Sequence, residues 1–285
     1  MAATVGFVGL GNMGSALAAN LVAAGHDLVT HDLAGPGRSP EGATFVDDLA
    51  ELGRRAPTVV LSLPDGRASA AVAGALAAAP DRAVTHVVDT STVGLDASRS
   101  VGALLADADV AYVDAPVSGG VAGARARTLT VMYAGTAAAC AAVRSVIEGL
   151  SDRRYRVGDR PGMAQAVKLA NNFLSATALA ATSEAVALAT SAGVDMATVL
   201  DVINASSGRS AASSDKFVHH VLTGAYASGF ANTLMAKDLD LYLAAVATRG
   251  TPATVGEVTA GIWRRFAAAD PGVDFTRIHP FVEGA

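Results

Sequence analysis

A chain of 285 residues with 51% apolar and 16% charged side chains can bury a sizeable core, as one large domain or two modest ones. Its 21 Lys and Arg against 26 Asp and Glu leave a net charge of -5, so the summed field repels polyanions and argues against a nucleic-acid partner. The one cysteine, Cys140, has no partner for an internal disulfide and lies in the alanine-rich run "TAAACAAVRSV", which reads as a small buried position on a helix.

The opening stretch "MAATVGFVGLGNMG" has no basic region ahead of its apolar residues and reads as a strand rather than a signal peptide, so the expected location is cytoplasmic, with no membrane partner. In chain order the runs rich in Val and other apolar residues are "TVGFVGL", "DLVTHD", "TVVLSLP", "VTHVVDTST", "VAYVDAPVSGG", "LTVMYAG" and "RRYRVGD", separated by helical patterns, the first of which runs to Gly25. Strands buried on both faces and alternating with helices predict a mostly parallel, doubly wound α/β sheet.

The first strand runs into "GLGNMG", so that Gly9, Leu10, Gly11, Asn12, Met13 and Gly14 open a helix whose Leu17 and Leu21 share one face. In that setting Gly9 permits the tight turn, Gly11 lets a pyrophosphate approach the backbone, and Gly14 lets helix and strand pack closely. The open N-H groups and positive dipole end of that helix then face the phosphates. Asp32 closes the second strand 21 residues after Gly11, near the spacing at which a carboxylate meets the ribose 2'-hydroxyl of NAD. A carboxylate there repels the 2'-phosphate of NADP, and Leu33 follows it rather than a cation. NAD is therefore favoured, while Arg38 in the next loop keeps NADP open. "LPDG", with Leu63 and Pro64, and "TST", ending at Thr92, close neighbouring strands and complete the nicotinamide side.

"DAPVSGG" ends a later strand, where the backbone N-H groups of Ser118, Gly119 and Gly120 form a concavity for a substrate carboxylate. After "GDRPG" the chain changes character: Asp159 suits a helix cap, Pro161 a first turn, and a long helix follows. Between Met163 and Gly193 only Lys168 and Glu184 carry charge. The most apolar part, "FLSATALAATSEAVALATSAG", is broken by Ser, Thr and Glu184 and reads as a buried helix rather than a membrane span. Lys168, Asn171 and Asn172 stand at i, i+3 and i+4, so they reach one site, provided Lys168 does not extend to solvent.

Four motifs in order, "GLGNMGSALAANLVAAGH", "DAPVSGGVAGA", "GMAQAVKLANN" and "FANTLMAKDLDLYLA", make the chain resemble the β-hydroxyacid dehydrogenase family, which includes 3-hydroxyisobutyrate dehydrogenase. The resemblance implies an NAD(P)-dependent oxidoreductase that moves a hydride between the nicotinamide and a small 3-hydroxy acid or its semialdehyde. It implies Lys168 as the catalytic general acid/base, Ser118, Gly119, Gly120 and Asn172 as substrate residues, and Thr92 and Lys237 as cofactor contacts. It also implies a Rossmann-type domain over 1–160, an all-helical domain over 161–285 that begins with a long interdomain helix, and a homodimer or homotetramer. A lysine with an ordinary pKa near 10.4 suits proton delivery to an aldehyde, whereas acting as a base requires burial to lower it.

The chain departs from the family at three places. "STVGLDAS" lacks a common proline, "VMYAG" has Tyr133 and Ala134 where a glycine pair is common, and Ala211, beside Ser207, Arg209 and Ser210, lies near an aromatic position of the 3-hydroxyisobutyrate enzymes, so a substrate other than 3-hydroxyisobutyrate stays open. Two rival readings are an imine reductase on the same scaffold, which Lys168 opposes, and a non-catalytic dinucleotide-binding module. No His or Cys spacing suggests a metal.

Overall fold

Short runs of branched apolar side chains build the sheet in the computed structural model, which describes residues 4–284; Met1–Ala3 and Ala285, the outermost residues of the two expected domains, lie outside the described residues. The strands are β1 (Val5–Val8), β2 (Leu28–His31), β3 (Thr44–Phe45), β4 (Thr58–Leu61), β5 (His86–Asp89), β6 (Ala111–Asp114), β7 (Val117–Ser118), β8 (Thr130–Ala134) and β9 (Arg153–Gly158). The first six pair in parallel in the order β3-β2-β1-β4-β5-β6. β8 runs antiparallel to β6 and β7, and β9 runs parallel to β8. β3 adds to the strands read from the sequence, and the run "VAYVDAPVSGG" divides into β6 and β7.

The pleat sends alternate side chains to two apolar layers. Val5, Phe7, Val60, Val88 and Val113 pack with Leu17, Leu21 and Ile147, while Val8, Val59, Leu61 and Val87 pack with Leu52, Leu76 and Leu105. Each fully buried Leu or Val contributes about 1.5–3 kcal/mol. Strands covered on both faces read as near-continuous apolar runs, whereas β9 departs from that expectation and is exposed over Arg153–Arg156. Cys140 lies in the first layer, and its thiol donates to the Gly135 carbonyl at 3.4 Å.

Register decides where the loops emerge. Val8 stands opposite His31 and Leu61, Leu61 opposite Asp89, and Asp89 opposite Asp114, so five strands end on one rim. The strand order reverses between β1 and β4, the place where open α/β sheets bind ligands.

The chain divides into two compact units, Met1–Lys168 and Leu169–Ala285. The division falls inside the helix Met163–Ser191, which by length and composition alone is long and apolar enough to cross a membrane. Its Ala176, Leu179, Ala180 and Val186 belong to the apolar core of the second unit. That unit is helical: Met196–Asn204, the π-helix Ala212–Val221, Asn232–Arg249, Thr254–Ala269 and Ile278–Glu283 surround Trp263, Phe217, Phe266 and Phe275. The Trp263 indole N-H donates to the Ala176 carbonyl at 3.2 Å. Ser210, one of the polar residues singled out beside Ala211, bonds the start of the π-helix: its hydroxyl accepts from the Ser213 N-H at 3.3 Å.

Candidate active site

The loop after β1 shows three different demands on its glycines. Gly9 has φ +95, in the left-handed region that favours glycine, and a Cβ there would lie 2.3 Å from the Ser62 carbonyl oxygen. A Cβ on Gly14 would lie 1.9 Å from the Gly9 carbonyl oxygen, so the helix Asn12–Ala23 can sit this close to the turn only without a side chain. Gly11 differs: a Cβ there meets nothing within 4 Å and would project into open space above the turn. That is the cradle a dinucleotide pyrophosphate requires, and the residues present fit the group. Leu10 is buried, whereas Asn12 is exposed and Met13 half-buried at the mouth of the turn.

Asp32 follows β2 and bonds the cradle on one side and its own loop on the other. Its Oδ2 accepts from the Leu10 N-H at 2.5 Å and its Oδ1 from the Ala34 N-H at 2.7 Å. The carboxylate therefore shapes the rim as well as presenting charge at it. Arg38 reaches back to the first turn of the helix, donating to Asn12 Oδ1 at 3.0 Å. It shares a hollow of about 350 Å³ with Arg125 and Ser15.

The neighbouring loops are tied to one another by buried polar groups that the sequence reading missed. Ser91 Oγ accepts from the Leu63 N-H at 2.8 Å, joining the loop with Leu63 and Pro64 to the loop with Thr92. Asp89 Oδ1 accepts from the Ser91 N-H at 2.9 Å, and its Oδ2 accepts from the Tyr112 hydroxyl at 3.3 Å. Burial pushes the Asp89 carboxyl up, and burial together with the Asp89 charge pushes the Tyr112 phenol well up. Beyond β6, Gly119 and Gly120 have φ +133 and +68, two successive positions that favour glycine, so the backbone at Ser118 to Gly120 turns in a way a bulkier sequence would resist.

Asp114, the last residue of β6, anchors the helix that carries Lys168. Its Oδ2 accepts from the Gly162 N-H at 3.1 Å and the Gln165 N-H at 3.2 Å. The start of this helix is thus capped by a carboxylate about fifty residues earlier in the chain, and not by Asp159, which is exposed and 3.4 Å from Arg160. Pro161 lies just ahead of the helix. Burial pushes the Asp114 carboxyl up to about 7, against the lowering by these two N-H donors.

Lys168 is 7% exposed, so it does not extend to solvent. Asn172, one helical turn on, is equally buried in the second unit, where its Nδ2 donates to Asp238 Oδ2 at 2.6 Å and its Oδ1 accepts from Asn171 at 3.1 Å. Lys237 pairs with the same carboxylate, Nζ to Oδ1 at 3.4 Å. Asp238 is a further residue that the sequence reading left without a role; its adjacency to Lys237 was the available signal. Among the described residues no group of three His, Cys, Asp or Glu side chains is placed to hold a metal ion.

Residues 4–158 match the family described as the NAD binding domain of 6-phosphogluconate dehydrogenase, and residues 162–281 match that described as NAD-binding of NADP-dependent 3-hydroxyisobutyrate dehydrogenase. The mitochondrial 3-hydroxyisobutyrate dehydrogenase of Drosophila melanogaster is 33% identical, covering 99% of this chain and 90% of that protein. The chain belongs to the β-hydroxyacid dehydrogenase family. Like the named members of that family, it is an NAD(P)-dependent hydroxyacid dehydrogenase, an oxidoreductase acting on CH-OH groups. A solved structure of the Mycobacterium tuberculosis 3-hydroxyisobutyrate dehydrogenase with L-serine superposes with a TM-score of 0.91 at 32% identity, covering 99% of both chains. The 2-(hydroxymethyl)glutarate dehydrogenase of Eubacterium barkeri is 34% identical over 85% of this chain and 81% of that protein. An imine reductase from Pseudomonas sp., at 20% identity and a TM-score of 0.62, shares the fold alone.

Proposed function

We propose that the enzyme interconverts a small 3-hydroxy acid and its semialdehyde, with NAD preferred and Lys168 as the general acid/base. The observation that carries this reading is Lys168 itself: a buried lysine on a helix whose start is anchored to the end of β6. A lysine amine is a group that can take a proton from an alcohol and return it to a carbonyl oxygen, which is the general acid-base chemistry that the reaction needs.

When bound, the nicotinamide supplies or accepts the hydride. The chain's own residues do the rest. Lys168 Nζ takes the hydroxyl proton as the alcohol is oxidised and returns it to the carbonyl oxygen on reduction. Ser118, Gly119 and Gly120 offer backbone N-H groups to the carboxylate, which fixes the reacting carbon for transfer. Asn172, one helical turn from the lysine and held by Asp238, is the side chain assigned to the substrate oxygen. The names of two relatives support the substrate class, because 3-hydroxyisobutyrate and 2-(hydroxymethyl)glutarate both carry a hydroxymethyl group on the carbon next to a carboxylate.

The deciding experiment is a screen of 3-hydroxy acids and semialdehydes with NAD(H) and NADP(H), run beside Lys168→Ala. Turnover should fall by about 10²–10⁴ in the variant with the fold intact by circular dichroism. Full turnover in Lys168→Ala would remove the assigned mechanism.

Asp32 supports the cofactor preference, with Leu33 beside it and Arg38 as the nearby cation that leaves NADP open. Asp32→Ala should narrow the ratio of kcat/KM with NAD to that with NADP by about tenfold. An unchanged ratio would take Asp32 out of the selectivity.

A further inference from the structure

Between the strand ends and Lys168 stands a fully buried side chain that the reaction as drawn above does not use. Gln165 lies one turn before Lys168 on the same helix. Its side-chain hydrogen bonds run to a single loop: Oε1 accepts from the Val93 N-H at 3.0 Å and the Gly94 N-H at 3.2 Å, and Nε2 donates to the Ser91 carbonyl at 3.1 Å. Thr92 is enclosed by that bracket. Through the Ser91 hydroxyl, the same loop holds the Leu63 N-H. The Gln165 backbone N-H, in turn, is held by Asp114.

We propose that Gln165 is a positioning residue for hydride and proton transfer, setting the distance between the loops that present Leu63, Pro64 and Thr92 and the helix that presents Lys168. The inference rests on the assignment of Lys168 under Proposed function. An amide is suited to this place because it carries an acceptor and a donor in one plane without charge, matching two N-H groups and one carbonyl. With both ends engaged by backbone, it has no freedom to rotate. Residues three apart lie on the same side of a helix, so a shift of Gln165 against the loop carries Lys168 with it. A misplacement of about 1 Å at a reacting centre costs on the order of a hundredfold in rate.

Gln165→Glu tests this by chemistry rather than by size. A protonated glutamic acid reproduces the amide's acceptor and donor, whereas a glutamate sets a second acceptor against the Ser91 carbonyl. The charged and titratable groups around this contact are Asp114, Asp89 and Tyr112 from β5 and β6, Arg99 against Gly162, and Lys168 one turn along. The measurement uses the full chain, with NAD(H) and the 3-hydroxy acid that the wild type turns over fastest.

We expect kcat of Gln165→Glu relative to wild type to be down about tenfold or more at about pH 8 and to recover toward about pH 5.5, the side that a buried carboxyl favours. KM for the hydroxy acid should change less than about twofold, because the residue does not touch it. Gln165→Met, similar in volume, should stay low at every pH. A ratio for Gln165→Glu that is high and flat with pH would overturn the proposal, as would wild-type kcat in Gln165→Met. Should Gln165→Met fail to fold, the pH ratio of Gln165→Glu decides. Lys168→Ala separates the two failures: if it is inactive while both Gln165 variants are unimpaired, only the positioning role falls. If it keeps full turnover, the mechanism itself falls.

Discussion

In the sheet unit one set of buried polar side chains gathers at the carboxyl ends of the strands, where Asp89, Ser91, Asp114 and Gln165 each hold the backbone of a loop or helix start, while Asn20 and Ser151 bond backbone elsewhere. In the helical unit most stand singly and bond the chain near their own packing contacts. Asn232 bridges the Asp270 carbonyl and the Gly272 N-H, and Ser183 bonds the carbonyl one turn back. Side-chain pairs depart from that pattern, Thr177 with Thr259, Thr276 with Asp274, and Asn172 with Asp238, the last beginning one turn past Lys168. Polar groups collected along one rim shape loops for a ligand, while scattered ones satisfy the backbone within a core.

This contrast can be broken from either side. Trp263→Ala should cost about 3–5 kcal/mol, because it empties the centre of the helical core and frees the Ala176 carbonyl. Thermal or denaturant unfolding measures it, and NADH binding should persist below the lowered melting point. Loss of binding in a folded Trp263→Ala would show that the helical core also sets the cofactor site.

Gly14→Val should weaken NADH binding by about two orders of magnitude, some 2.8 kcal/mol, because no side chain fits against the Gly9 carbonyl. A fluorescence titration reads this, and retained affinity would detach the glycine turn from the dinucleotide.

The smallest effect concerns pH. Asp114 holds its proton more tightly when folded, at about 7 against 3.8. Its contribution to stability is therefore fully present below pH 3.8 and is lost as pH rises through about 7. The melting temperature should fall across that window, with Asp89 acting in the same direction, and Asp114→Asn should flatten the slope. An unchanged slope would assign the pH dependence elsewhere.

The sheet was largely legible because strands buried on both faces leave continuous apolar runs, and because Gly9, Gly14 and Asp32 act within a short span of chain. β3 and β7 are two residues each, too short for any period to register. Asp159 looked like the cap of the long helix because it is close in sequence, yet Asp114 serves, brought there by β6. Gln165 and Asp238 act on partners about seventy residues away; nothing in residue type or spacing announces the Gln165 contact, and for Asp238 the sequence offers only its place beside Lys237. Lys168 was legible for the opposite reason: an isolated charge in an apolar helix is visible without knowing what it meets.

The single cysteine gives the molecule a practical property. Cys140 is buried in the sheet layer, and burial pushes its thiol up, so it resists the alkylating reagents used for labelling. A cysteine introduced at Leu33, which is 99% exposed beside Asp32, would then carry a dye alone. The wild-type chain already supplies the silent background for watching the dinucleotide arrive.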